Sequence, residues 1–174
     1  MTRAELNQAI YEASHLTGEF TLRSGKVSTE YFDKYRFEAQ PSILKAIAKL
    51  SAPMVPADAD YLAGLEMGGI PLATALSLET GRPTVFVRKE AKTYGTCQFA
   101  EGNDIAGKKL FIIEDVITTG GQVFESAAML NNAGAEVVGV LCVIFRGDQS
   151  VKTRFENENL PLQHLFTMEE LKGS

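Results

Sequence analysis

Leu110-Phe111-Ile112-Ile113-Glu114-Asp115-Val116-Ile117-Thr118-Thr119-Gly120-Gly121-Gln122 carries the most structural information in the chain. Its first four residues form a continuous apolar run, the pattern of a buried strand. Two adjacent acids follow, then two apolar residues, then a turn of small residues at 118–121. Beyond the turn the apolar positions take helical spacing, at Val123, Ala127, Leu130 and Ala133. The order is strand, loop, helix. In an open parallel sheet, ligands bind beyond the carboxyl ends of the strands. Small side chains and two glycines let backbone N–H groups crowd around an anion, and the next helix turns its positive end to the same place. The stretch therefore predicts a phosphate cradle with two carboxylates at its lip. Each piece alone also suits a solvated loop entry and a threonine-capped turn. The ordered composite is what points to a ligand. It has no Lys-Ser/Thr pair after the glycines and no G-x-G-x-x-G, so it differs from both common phosphate loops.

The 174 residues suit one domain with a sizeable core. A hydrophobic content of 45% and a charged content of 22% place the chain among soluble globular proteins. No apolar run reaches membrane-spanning length, and the N-terminus has no apolar signal segment. Two cysteines, Cys97 and Cys142, supply no disulfide framework and suit a reducing cytoplasm. Cys142 falls in an apolar strand and is expected in the core, while Cys97 falls in a polar loop and is expected to be oxidisable. His15 and His164 have no ligand-spaced neighbours, which argues against zinc. A net charge of −5 argues against a general nucleic-acid or membrane-surface binder, but not against a small anionic substrate.

Outward from the central stretch, alternation of strands and helices predicts an α/β fold with a mostly parallel sheet flanked by helices on both faces. Residues 2–15 read as a helix, with a capping box from Thr2 to Glu5, an apolar stripe of Leu6, Ala9, Ile10 and Ala13, and Gly18 as its stop. Phe20 and Leu22 alternate with polar neighbours, which predicts two short strands about a Ser24-Gly25 turn. Pro41 opens a helix with Ile43, Leu44, Ile47 and Leu50 facing inward. Strands are expected at 61–65, 83–87, 110–113 and 137–145, and helices through Leu72, Ala75, Leu76 and Leu78 to Gly81 and over 121–132. The polar tail allows one late strand at 162–166. This predicts a hood lobe over 1–40, an α/β core over 41–148 and a C-terminal segment over 149–174.

Three further features point to chemistry. Gly68 and Gly69 form a second glycine turn at another strand end, which suits either simple turn geometry or a second anion pocket. Arg88, Lys89 and Lys92 put three cations at the start of a polar stretch too long for a simple connection, the pattern of a lid over an anionic leaving group. Arg23 and Arg146 are forked donors suited to a planar anion, with Tyr31 and Phe32 available to pack against its ring.

Taken in order, Phe20-Thr21-Leu22-Arg23-Ser24-Gly25, Tyr31-Phe32-Asp33, Gly69-Ile70-Pro71-Leu72-Ala73, Val87-Arg88-Lys89-Glu90-Ala91-Lys92, the acid stretch and Arg146 resemble the orotate phosphoribosyltransferases, within the type I phosphoribosyltransferases. The resemblance spans nearly the whole chain. It implies a Mg²⁺-dependent transfer of ribose 5-phosphate from phosphoribosyl diphosphate to orotate, giving orotidine 5′-phosphate and diphosphate in pyrimidine biosynthesis. It implies that Thr118, Thr119, Gly120, Gly121 and Gln122 hold the 5-phosphate, with Val116 and Ile117 part of the same loop, and that Glu114 and Asp115 meet the ribose hydroxyls. Gly68 and Gly69 would approach the diphosphate. Arg88, Lys92 and Tyr94 would reach the neighbouring site of a homodimer with shared active sites, and Lys89 would serve its own. Glu114, Asp115, Lys89 and Lys92 would be the catalytic groups. Arg23, Phe32, Thr118 and Arg146 would hold orotate, and magnesium would be held mainly through the substrate. Tyr94 stands where many members have histidine, and Gly68 where some have lysine. A purine-base phosphoribosyltransferase and a non-catalytic sensor of phosphoribosyl diphosphate are the alternative readings.

Overall fold

Residues 2–5 spell a capping box, and the first helix begins on it: the Thr2 hydroxyl accepts from Glu5 N–H, and Glu5 reaches back to Thr2 N–H at 2.7 Å. The computed structural model describes residues 1–21, 25–90 and 99–173. Helix α1 (Arg3–Ser14) buries Leu6 and Ile10. It does not run to a stop at Gly18. The chain turns extended at His15 and enters strand β1 (His15–Thr21), with Gly18 inside the strand. Strand β1 pairs antiparallel with β2 (Val27–Phe32) as a separate two-stranded sheet. A short helix follows that was not expected, α2 (Lys34–Glu38), started by the Asp33 carboxylate accepting from Tyr35 N–H. Helix α3 (Pro41–Ser51) has proline in its first turn and buries Ile43 and Ile47.

The main sheet contains β3 (Tyr61–Leu65), β4 (Thr84–Val87), β5 (Ala100–Glu101), β6 (Lys109–Ile117), β7 (Glu136–Phe145) and β8 (Leu162–Thr167). Their spatial order is β5-β4-β3-β6-β7-β8, parallel throughout except for β5 against β4. Helix α4 (Gly69–Thr80) joins β3 to β4, and α5 (Gly121–Asn132) joins β6 to β7. From β3 the chain moves to one side of the sheet. From β6 it moves to the other. The crevice beyond the carboxyl ends of β3 and β6 is therefore the topological switch point, where ligands settle in open α/β sheets.

Two cores flank the sheet. Leu6, Ile10, Phe37, Ile47, Leu72 and Phe166 share one, and Val123, Leu130, Cys142 and Phe155 share the other. Packing does not divide at residues 40 and 148, because α1 lies in the main core and β8 extends the main sheet. The tail also forms α6 (Gln149–Asn157) and α7 (Met168–Lys172), neither of them expected. Both begin on side-chain caps, Asp148 for α6 and a Thr167–Glu170 capping box for α7. The Arg3 guanidinium ties the two ends of the chain together through Leu165 C=O and Glu170, each at 2.7 Å. Two apolar positions of the expected helical patterns face solvent. Leu78 is 86% exposed, and Ala133 is the exposed C-cap of α5. Cys142 is fully buried, as its strand position predicted, and burial pushes its thiol pKa up. Leu22, Arg23, Lys92, Tyr94 and Cys97 lie outside the described residues.

Candidate functional site

Strand β6 is longer than the apolar run that announced it. It pairs with β3 only as far as Ile113, opposite Gly64, and with β7 as far as Ile117, opposite Phe145. Glu114 and Asp115 are therefore part of the strand and are buried, with relative exposures of 9% and 0%. The expectation of two carboxylates on an open loop lip is corrected by this extension. Past Ile113 the place beside β6 is taken by the turn after β3. A Cβ on Gly69 would overlap the Ile113 carbonyl oxygen, and a Cβ on Gly68 would overlap the Asp115 carboxylate. Close approach, and not a left-handed backbone, is what requires glycine at both positions.

The acid pair is not isolated. Lys34 Nζ lies 2.6 Å from Asp115 Oδ2. Glu38 occupies the same face of α2 four residues on, and its Oε1 borders the space beside Gly68. Burial pushes the Glu38 carboxyl up to about 9, with the hydrogen bond and charge of Asp115 acting in the same direction. Burial, then the Asp115 charge, holds Glu114 well above the usual carboxylate range. Burial also works against ionised Asp115, but hydrogen bonds from Glu114 and Lys34 more than offset it and leave its pKa lowered. Burial would lower Lys34, yet Asp115 keeps it raised. The ionised core of the cluster is thus the Lys34–Asp115 pair.

A pH effect on stability follows. A group whose pKa is raised by folding contributes most below its unfolded value and loses that contribution as pH rises through its folded value. Glu38 goes from 4.5 to about 9, so its contribution fades across that window. Glu38→Gln cannot ionise. Its Tm, relative to the parent protein, is expected to rise by about 2–4 °C or more between pH 5 and pH 9 in a thermal melt series. A difference that stays flat over that range would show that Glu38 does not hold its proton in the folded state.

The cradle after β6 is built from backbone. Gly120 has φ 74°, and a Cβ there would press on the Phe155 and Phe124 rings, so the turn admits only glycine comfortably. Helix α5 begins at Gly121 behind a glycine N-cap; Gly121 N–H reaches the Thr119 hydroxyl at 3.5 Å, and the next N–H groups of the first turn, on Gln122 and Val123, are left for a ligand. They border a cavity of about 190 Å³ lined by Glu114, Val116, Ile117, Thr118, Thr119, Gly120, Gly121, Gln122 and Val123. Thr118 and Thr119 are exposed on its rim.

A second cavity of about 290 Å³ brings together Phe32, Tyr31 and Arg146, with Tyr11, His15 and Lys172 among its other walls. Arg146 N–H donates to Ile117 C=O at 2.8 Å, and Gly147 packs so closely on the Thr118 carbonyl that a side chain would crowd it. The loop carrying Arg146 and the cradle therefore abut. On the other side, Lys89 N–H donates to Glu66 Oε1 at 2.5 Å, and Arg88 N–H to Phe99 C=O at 2.7 Å. Glu66 thus ties the root of the cationic stretch to the glycine turn. Arg23, Lys92 and Tyr94 fall outside the described residues.

Sequence reasoning missed Lys34, Glu38 and Glu66. A signal for the first two was present: Asp33 is a good N-cap, and Lys34 and Glu38 stand one helical turn apart. Nothing local shows that this turn faces β6.

Residues 35–162 match the model of the family described as phosphoribosyl transferase domain. An orotate phosphoribosyltransferase of Nocardioides sp. is 53% identical over 143 residues, 82% of this chain and 80% of the relative. Two crystal structures of Mycobacterium tuberculosis orotate phosphoribosyltransferase superpose closely. The complex with Fe(III) dicitrate has a TM-score of 0.86 at 30% identity, covering 97% of this chain and 98% of the other. The complex with 5-phospho-α-D-ribosyl 1-diphosphate has a TM-score of 0.81 at 27% identity, covering 98% of each.

Proposed function

The chain belongs to the phosphoribosyltransferase family, among the orotate phosphoribosyltransferases, and we propose that it transfers ribose 5-phosphate from phosphoribosyl diphosphate to orotate at the switch point between β3 and β6. One observation carries the proposal. Buried acids, a backbone anion cradle and a glycine turn meet at one strand end. A phosphorylated sugar that becomes cationic needs that combination.

In this reading the 5-phosphate sits on the N–H groups of residues 118–122. Glu114 and Asp115 accept hydrogen bonds from the ribose hydroxyls, and the negative charge of Asp115 favours the ring as the bond from C1 to the diphosphate oxygen breaks. Diphosphate leaves with the electron pair, toward the Gly68–Gly69 turn. The orotate ring nitrogen forms the new bond to C1 and gives its proton to the departing diphosphate. Arg146, Phe32 and Thr118, joined by Arg23, hold the orotate carboxylate and ring. Lys89 neutralises the leaving group. Arg88, Lys92 and Tyr94 act across a homodimer interface, and the protein works in the cytoplasm. No helix among the described residues is long and apolar enough to cross a membrane.

Magnesium is part of the proposal. Among the described residues no group of three or more His, Cys, Asp and Glu side chains is arranged to hold a metal. Magnesium usually binds through one or two carboxylates together with substrate phosphates and waters. The acid pair beside the glycine turn suits an ion carried mainly by donor oxygens. When bound it would neutralise charge on the departing diphosphate.

The deciding assay mixes the protein with phosphoribosyl diphosphate, Mg²⁺ and orotate and follows the loss of orotate absorbance. Turnover with adenine and none with orotate would move the chain to the purine-base enzymes. Site sharing has its own test. Lys92→Ala and Asp115→Asn subunits, each nearly inactive alone, are expected to regain about a quarter of parental activity when mixed, because about half of the dimers are mixed and each of these holds one intact site of two. Absence of recovery after demonstrated subunit exchange would rule sharing out.

A further inference from the structure

The donor is a polyanion, yet the described floor of its site is acidic: Glu38, Glu114 and Asp115 meet there, and the Gly68–Gly69 turn brings only backbone. One cation among the described residues touches this floor. It is Lys34, delivered by α2 from the N-terminal side of the chain. Its ammonium lies on Asp115 Oδ2, the same oxygen that fills the space in front of Gly68. Lys34 is therefore paired with the carboxylate that would meet the ribose, on the very oxygen that abuts the turn that would meet the diphosphate. Its side chain is 35% exposed, so it can turn from Asp115 toward a ligand without leaving a fully desolvated position.

We propose that Lys34 is a further binding residue of the donor site, held on Asp115 in the free protein and transferred to the diphosphate when ribose hydroxyls take its place on Asp115. The exchange conserves the pairing of charges. Asp115 gives up an ammonium and gains hydroxyl donors, while the ammonium gains phosphate oxygens, for which a compact point charge is well suited. The same chain segment carries Phe32 into the cavity shared with Arg146, so donor and acceptor sides are joined through residues 32–34. This inference rests on the proposed phosphoribosyl transfer.

Lys34→Met removes the charge and keeps the length. Its KM for phosphoribosyl diphosphate is expected to rise about tenfold or more, with KM for orotate changed less than about twofold. Inorganic diphosphate with Mg²⁺ should bind about tenfold more weakly, while ribose 5-phosphate binds nearly as before, and Lys34→Arg should recover most of the lost affinity. If Lys34 only held Asp115 in place, ribose 5-phosphate affinity would fall and diphosphate affinity would not, which overturns the proposal. Should Lys34→Met fail to fold because Asp115 is left unpaired, the pair Lys34→Met/Asp115→Asn is neutral. Calorimetry with diphosphate then compares it with Asp115→Asn alone, and equal affinities overturn the proposal. Orotate turnover by the parent protein is measured in parallel: its absence counts against phosphoribosyl transfer, and its presence with an unchanged Lys34→Met counts against Lys34 alone.

Discussion

Asp115→Asn is expected to lower kcat by about 10²–10³-fold, the loss seen when one preorganised electrostatic group is removed from a water-excluded site. Asparagine keeps the size and an acceptor oxygen, so the ribose can still dock. It loses the full charge that favours the cationic ring. The variant should remain folded. It frees Lys34 from its partner, but that side chain is partly exposed and can turn to water, so the loss in Tm should stay within a few degrees. Steady-state kinetics beside a thermal melt decide the matter. A kcat within about threefold of the parent, in a folded protein, would falsify the assignment of Asp115 to the reacting ribose.

Gly68→Ala comes next in expected effect. The backbone at Gly68 has φ −69° and ψ −30°, which alanine adopts freely, so the usual reduction in unfolded-state entropy would favour the variant. The obstacle is steric alone, since the new methyl would occupy the place of the Asp115 carboxylate. Either the carboxylate or the turn must shift by about an ångström, and misplacement of that size costs on the order of 10²-fold in rate. The expected result is a fall of about that size in kcat/KM for phosphoribosyl diphosphate, with Lys34 displaced along with its partner. A crystal structure of the variant with Asp115 unmoved, or an unchanged kcat/KM, would remove the close packing of turn and strand from the mechanism.

Much of the site could be read locally because its parts are local. The cradle at 118–122 and the start of α5 need only small residues followed by helical spacing. The strand at 61–65 and the glycine turn after it were likewise written in sequence, as was the helix capped by Thr2. Other features were not. The tail looked polar because α6 and α7 bury one side chain each, Phe155 and Leu171. Leu78 fits a helical pattern and still faces solvent. A hydrophobic residue on the surface costs little, so periodicity cannot separate it from one in the core.

The sequence by itself determined the α/β order, the anion cradle and the presence of two acids beside it, because each depends on neighbours within one or two turns of chain. Only the tertiary structure decided what those acids are. Strand β6 outlasts β3, so Glu114 and Asp115 lie inside the sheet and against the glycine turn, where burial raises the Glu114 pKa while hydrogen bonds from Glu114 and Lys34 lower that of Asp115. The cation that answers Asp115 comes from Lys34, 81 positions earlier in the numbering. Ion pairing depends on distance in space, and no local pattern encodes which distant side chain a fold will bring within 2.6 Å.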